Sequence, residues 1–410
     1  MSEKKEKNGD IELEIRKVSE KEEMQMVPMN ISVNYLSYLF IEPNNSLMKI
    51  KITDILDSKY EFLFGIRKSF KYKTYEIINP LKISNQTNKT EEDIQNLRKK
   101  LWYLVNSGED KDKINEDYIL NENDIIKFGG CIYEIIRIKV LKKGKNNSYN
   151  KGQLYDISGL NNNFGLVFKI DIDKKDKNEQ NKQGNKNNEN NKINSIINEE
   201  NSKDPNISKN PIIKLCDCYN HFECIKSQLF SELKIKEKLE EEKIISFNLD
   251  EFKCNVCGKN IPLRFKKSGK IYNFLEFKNM NYIVLEYLGK ITGKSSNENA
   301  RDKNNEDKEL KKVYIIKLED ELIKIGRNTK DNINDINIPD RSISRSHAVL
   351  KFNKENGDLI LENRSKNNKE KTSTYILIKD NFKLKRNKIK FRTDNYYITI
   401  NLKGELIKNA

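Results

Sequence analysis

Two groups of residues in this 410-residue chain have types and spacings suited to chemistry. Cys216-x-Cys218, His221-x-x-Cys224 and Cys254-x-x-Cys257 have metal-ligand spacings, because a short chain reversal lets both side chains of a pair face one tetrahedral ion. The second group is Gly326-Arg327 with Ser344-Arg345-Ser346-His347. A phosphate ester carries nearly two negative charges and several acceptor oxygens. The Arg327 guanidinium, the Ser344 hydroxyl and nearby backbone amides can hold it by charge-assisted hydrogen bonds, with Arg345 as a second cation.

The elements that must position the second group are strands. Seven short runs read as strands: Val313 to Leu318, Leu322 to Ile325, His347 to Phe352, Leu359 to Glu362, Thr374 to Ile378, Lys388 to Arg392 and Tyr396 to Leu402. Polar turns join them and no long helix interrupts them, which predicts an antiparallel β-sandwich with its informative residues in end loops. The cysteines are served differently. Ile225, Leu229, Leu233, Ile235 and Leu239 recur mostly every three to four residues, so a helix is expected from Glu223 to about Ile245.

Upstream, Met48 to Ile52, Tyr60 to Phe64 and Ile132 to Ile136 are strand-like, and residues 29–172 read as a β domain. Residues 1–28 read as a disordered tail. The Asn/Lys/Glu-rich segment 173–210 offers no face to bury and reads as a disordered linker, as does 291–310. Between these linkers lies the cysteine cluster with its helix, 211–290, and beyond them the sandwich, 311–405. The fold class expected is mainly β, with a small α+β finger.

Composition narrows the function. The net charge of +15 would suit an anionic partner, but 62 acidic residues are interspersed with 77 basic ones. A basic groove would concentrate its Lys and Arg, so nucleic acid is the least favoured partner. No apolar run follows the N-terminus and none approaches membrane-spanning length, so an intracellular protein of nucleus or cytoplasm with no membrane partner is expected. In that reducing setting the six cysteines read as metal ligands or thiols rather than disulfides, with Cys131 a core thiol.

Gly326-Arg327, followed by Ser344-x-x-His347 opening a strand and an Asn-containing loop, resembles the forkhead-associated (FHA) family over about Val313 to Leu402. The resemblance implies a phosphothreonine-reading sandwich in which His347 braces the binding loop from beneath. A lone His before an apolar run reads as structural in any case. Where the family has an Asn-Gly turn, this chain has Asn367-Asn368 followed by the extra residues Lys369-Glu370-Lys371, and the resemblance implies that this Asn367 loop contacts the peptide beyond the phosphate. Leu120 to Gly129 and then Tyr133-Glu134-Ile135 resemble the closing strands of the same family, with a counterpart in Leu384 to Phe391 and Tyr397-Ile398-Thr399. Phe64-Gly65-Ile66-Arg67 resembles the Gly-Arg step, but no Ser-x-x-His follows. Residues 31 to 140 are therefore a related sandwich without a phosphate pocket, or an unrelated β domain.

The cysteine order resembles the second half of a RING-CH finger over about 211 to 265. Such fingers hold eight ligands in two cross-braced sites. No cysteine lies between Cys131 and Cys216, so the first pair is missing. One zinc ion on Cys216, Cys218, Cys254 and Cys257 is expected, with His221 and Cys224 the incomplete half. Gln228 stands where such fingers often place an exposed Trp for a ubiquitin-conjugating enzyme.

These readings imply a phosphothreonine-dependent adaptor whose partner is a phosphorylated protein. The alternatives are a ubiquitin-ligase-like protein that selects phosphorylated substrates through the FHA segment, and a basic nucleic-acid-binding protein. No catalytic constellation stands out.

Overall fold

A computed structural model describes residues 11–17, 26–31, 33, 36–42, 49–53, 61–69, 74–78, 91–105, 118–141, 212–216, 218–267, 270–291, 312–319, 322–365, 373–379, 382–384, 388–393 and 396–402. The segment 173–210, the linker 291–310 beyond Ile291, and Asn367 lie outside the described residues. The fold is mainly β, with antiparallel sheets.

The first strands in chain order are β1 (Ile11–Lys17), β2 (Met26–Ile31), β3 (Leu36–Glu42), β4 (Lys49–Thr53), β5 (Glu61–Ser69), β6 (Thr74–Ile78) and, after helix α1 (Glu91–Leu97), β7 (Trp102–Leu104). Then come β8 (Tyr118–Ile119), β9 (Ile125–Phe128) and β10 (Cys131–Lys139). The cysteine segment holds β11 (Ile212–Lys214), β12 (Tyr219–His221), α2 (Phe222–Glu232), α3 (Ile235–Glu241), β13 (Ile244–Asn248), β14 (Arg264–Lys267) and β15 (Lys270–Asn273). The rest of the chain gives β16 (Tyr282–Lys290), β17 (Lys312–Lys317), β18 (Leu322–Gly326), β19 (Ile336–Asn337), β20 (Ala348–Phe352), β21 (Leu359–Asn363) and β22 (Thr374–Leu377). It ends with β23 (Phe382–Leu384), β24 (Lys388–Arg392) and β25 (Tyr396–Leu402).

Pairing among these strands follows one rule twice. One five-stranded sheet has the order β4-β3-β5-β6-β23 and the other β19-β18-β20-β21-β8, so in each the fifth strand comes from the other half of the chain. The eleven-stranded sheet repeats the pattern, running β2-β1-β25-β24-β7 and then β22-β9-β10-β16-β17, with β13 at its outer edge. Two sandwiches result. The first is built on residues 11–104 and closed by β23, β24 and β25; the second is built on 282–377 and closed by β8, β9 and β10. They meet where β7 and β22 pair antiparallel, with Ile376 opposite Tyr103. The two copies differ in one pairing, β18 with β19 being parallel and β3 with β4 antiparallel.

The boundaries read from the sequence, 29–172 and 311–405, follow chain order, whereas strand pairing crosses between them. A further correction concerns the tail. Residues 11–17 form a strand, paired on one side with β2 and on the other with β25. Ile11, Leu13 and Ile15 alternate with charged residues and are fully buried, the period-2 pattern of a half-buried strand. Each such burial stabilises by roughly 1.5–3 kcal/mol, enough to order a segment whose charged neighbours suggest disorder.

The joint has its own small core. Ile94 and Leu97 of α1 pack with Trp102, Ile125, Ile132, Tyr375 and Leu377, and Trp102 Nε1 donates to the Leu97 carbonyl at 3.0 Å. The Lys127 ammonium lies 4.5 Å from the Tyr375 ring centroid and 5.3 Å from that of Trp102. Such cation–ring contacts strengthen with desolvation, and Lys127 is buried.

The cysteine segment packs on the second sandwich. Phe222, Ile225 and Leu229 of α2 and Ile235 and Leu239 of α3 share a core with Phe252, Phe265 and Phe274 and with Ile136, Val284 and Ile315 of the large sheet. The helix expected over Glu223 to Ile245 is two helices, because Lys234 adopts a left-handed conformation between them (φ +49°). The chain then turns outward into β13, which extends the sheet beside β17.

Candidate functional site

Strand β18 ends at Gly326, and there the two loops of the site meet. A Cβ on Gly326 would lie 2.2 Å from the Arg345 carbonyl oxygen, so only glycine lets them close. The Arg327 N–H donates to the Ser344 carbonyl at 3.0 Å. Asn332 and Asn334 both donate through Nδ2 to the Arg345 carbonyl, at 2.7 and 2.8 Å. Asn328 accepts from the Asn334 amide (2.8 Å), and Asn337 accepts from the Asn328 amide (2.9 Å). The loop from Asn328 to Asn337 is thereby fastened to the loop carrying Ser344 and Arg345.

Within this frame Arg327 is half-buried, and its Nε, like Thr329 Oγ1, is a buried polar atom without a hydrogen-bond partner among the described residues. Buried donors are normally satisfied, so an orphaned guanidinium nitrogen suits a bound acceptor such as a phosphate oxygen. The Ser344 hydroxyl stands 3.1 Å from that of Ser365. Arg345 is exposed. Arg327, Ser344 and Arg345 thus occupy one pair of fastened loops, and two arginines with a hydroxyl pair suit a phosphate.

His347 lies beneath, with no exposed surface. Its backbone N–H donates to the Ile325 carbonyl at 2.9 Å, and its Nδ1 accepts the Ser344 N–H at 3.2 Å. Burial pushes its pKa down to about 4, so the ring is neutral at neutral pH and free to accept that amide. Phe128 of β9 stands edge-on to the imidazole, ring centroids 5.9 Å apart.

Several participants escape a reading of the sequence. Asp340, buried, accepts from the Ser342 amide (2.7 Å) and the Ser342 hydroxyl and pairs with Lys290 at 2.7 Å. Burial works to raise its pKa, but Lys290 and Ser342 hold it below the usual carboxylate value. The Ser342 hydroxyl also accepts the Gly130 N–H at 2.8 Å. The Gly129-Gly130 pair was the available signal. Arg67, by contrast, is removed from such a role: it lies on β5 and binds Glu76 of β6 at 2.5 Å.

The second group forms a separate cluster. The sulfurs of Cys216, Cys218, Cys254 and Cys257 all lie within 4.8 Å of one another. A tetrahedral zinc with Zn–S near 2.3 Å needs sulfurs about 3.8 Å apart, so the donor set fits with little movement. Cys254 N donates to the Lys259 carbonyl and Gly258 N to the Cys254 carbonyl, both at 2.8 Å, with Gly258 at φ +70° closing the turn. Burial works to raise the Cys254 thiol pKa, but the amides of Cys257 and Val256 and hydrogen bonds from Cys216 and Cys257 bring it down to about 7. Burial pushes Cys216 up to about 12. His221 and Cys224 are exposed and stand outside the four-sulfur group. Gln228 Nε2 donates to Glu232 and to the Lys253 carbonyl, so this side chain ties α2 to the cysteine turn.

Comparison with known families bears on the first group. Residues 323–399 match the FHA domain. No curated protein and no solved structure matches the chain. The FHA match runs from β18 through β25, yet β23, β24 and β25 close the first sandwich and not the one that carries Arg327. The matched segment is therefore divided between the two sandwiches, and β8, β9 and β10 of the N-terminal half stand beside its first strands. Among the described residues no helix is long and apolar enough to cross a membrane.

Proposed function

We propose that the protein is a phosphothreonine-dependent adaptor that binds phosphorylated proteins through Arg327, Ser344 and Arg345. The observation that carries this reading is the half-buried Arg327 guanidinium, its Nε without a partner, beside the Ser344 hydroxyl in an FHA domain. Arg327 supplies the charged fork, Ser344 a hydroxyl and Arg345 a second cation on the solvent side; the Asn367 loop contacts the peptide beyond the phosphate. Gly326 and His347 hold the loops and do not touch the ligand. The test is fluorescence anisotropy of the full chain with one threonine peptide in phosphorylated and unphosphorylated forms. Equal affinity for the two rejects the reading.

Zinc on Cys216, Cys218, Cys254 and Cys257 belongs to the same reading as a structural ion. It would fasten the β11–β12 turn to the turn after Phe252 and so hold the finger against the second sandwich. A ligase-like role has less support, since one four-sulfur site stands where a cross-braced finger has two and Gln228 is engaged within the finger. A metal held by thiolates suits a reducing intracellular compartment.

A further inference from the structure

The loop that bears Ser344 rests on residues from the other half of the chain. Gly130 N donates to Ser342 Oγ at 2.8 Å, and a Cβ on Gly129 (φ +54°) would lie 2.5 Å from the Ser342 carbonyl oxygen. Phe128 meets His347, which accepts the Ser344 amide. One three-residue turn, Phe128-Gly129-Gly130, thus supports the loop at both Ser342 and Ser344. The same hairpin is bound into the second sandwich along its length. β10 pairs with β16, β9 with β22 and β8 with β21, and the Leu120 N–H donates to the Leu359 carbonyl at 2.8 Å. The C-terminal half has no substitute, because its own closing strands β23, β24 and β25 lie in the first sandwich.

We propose that Phe128, Gly129 and Gly130 are positioning residues for the phosphate-binding loop, supplied by the N-terminal half of the chain, so that the site exists only when the two halves are assembled. The inference rests on the phosphothreonine reading for its ligand, but its structural content is independent of it. The two halves are then each other's folding partners, each carrying three strands the other lacks.

The test uses the full chain with a protease site inserted in segment 173–210. After cleavage the halves elute as one particle and keep the phosphothreonine-peptide affinity of the uncut protein. The C-terminal fragment, isolated in urea and refolded, does not bind, and adding the N-terminal fragment restores binding. A second arm needs no separation. In the intact protein Ser342→Ala weakens peptide binding by about tenfold, the upper range for one hydrogen bond, while Ser342→Thr retains it and the melting temperature of both stays near wild type. Hydrogen exchange of the Ser344 amide supplies a ligand-free readout, with protection lost in the isolated C-terminal fragment and in Ser342→Ala but kept in Ser342→Thr. A C-terminal fragment that binds as tightly as the intact chain, or a Ser344 amide equally protected with and without the N-terminal fragment, overturns the proposal. Failure of the intact chain to prefer the phosphorylated peptide rejects the ligand reading alone and leaves the exchange arm to decide this one.

Discussion

The Nδ1 of His347 accepts the backbone N–H of Ser344 at 3.2 Å, an acceptor role open only to an uncharged imidazole. With the folded pKa pushed from 6.5 to about 4 by burial, the unfolded chain binds the proton more readily than the folded one. Stability from this group is therefore fully present above pH 6.5 and is lost as pH falls toward 4, by about 3 kcal/mol in all. Urea unfolding at pH 7 and pH 5 measures it, and the drop should shrink in His347→Gln. Stability is the better readout than binding, because the ligand phosphate titrates near pH 6 itself. A drop unchanged in His347→Gln assigns it to other groups.

Arg327→Ala should weaken binding of a phosphothreonine peptide by about 1.5–3 kcal/mol, the range for hydrogen bonds to charged groups. Among the described residues its Nε has no hydrogen-bond partner, so the melting temperature should hardly change. Arg327→Lys keeps the charge but loses the planar fork and should recover only part of the affinity. Isothermal titration of the three proteins with one peptide checks this; full recovery in Arg327→Lys would mean that charge alone is read.

Arg264 reaches from β14 to the exchanged hairpin, pairing with Glu134 at 2.6 Å and donating to Asn123 Oδ1 at 2.5 Å. Both members of the pair are essentially without solvent exposure. Arg264→Met removes the guanidinium from a carboxylate that stays buried and should cost about 3–5 kcal/mol, whereas adding Glu134→Leu should restore most of it. Chemical denaturation of the single and double variants measures the recovery. Two additive losses would show that packing, not charge, holds the finger to the hairpin.

The sequence is most legible where local pattern and structure coincide. All seven strand runs after Lys312 are strands, since each alternates or clusters apolar residues between polar turns. Arg327, Ser344 and His347 come together because β18 and β20 are neighbours, as a sandwich requires. The frame around them is less legible: Asn332, Asn334, Ser342 and Ser365 act through short hydrogen bonds in loops, where spacing carries no period. The exchange is least legible of all. Leu120 to Gly129 and Leu384 to Phe391 are alike in sequence, yet each closes the sandwich of the other half of the chain. A shared hydrophobic pattern cannot encode which sandwich each closes.

The cysteine cluster gives the last prediction. Four sulfurs within 4.8 Å of one another, with His221 and Cys224 outside the group, make one complete site, so elemental analysis should find one zinc per chain. Thiolates that share a cation would hold two turns together, and in a small metal domain ligand binding and local folding are the same free energy. Cys254→Ser or chelation should therefore release the ion and expose amides of α2 to hydrogen exchange, since α2 packs beside Phe252 in the finger core. Cys224→Ser should leave metal content unchanged, because that thiol is exposed and outside the cluster. The zinc-loaded protein should not ubiquitinate itself with the conjugating enzymes offered. Two zinc ions per chain, or ubiquitin chains formed by wild type and lost in Cys254→Ser, would make the finger the active module and the FHA domain its means of selecting substrates.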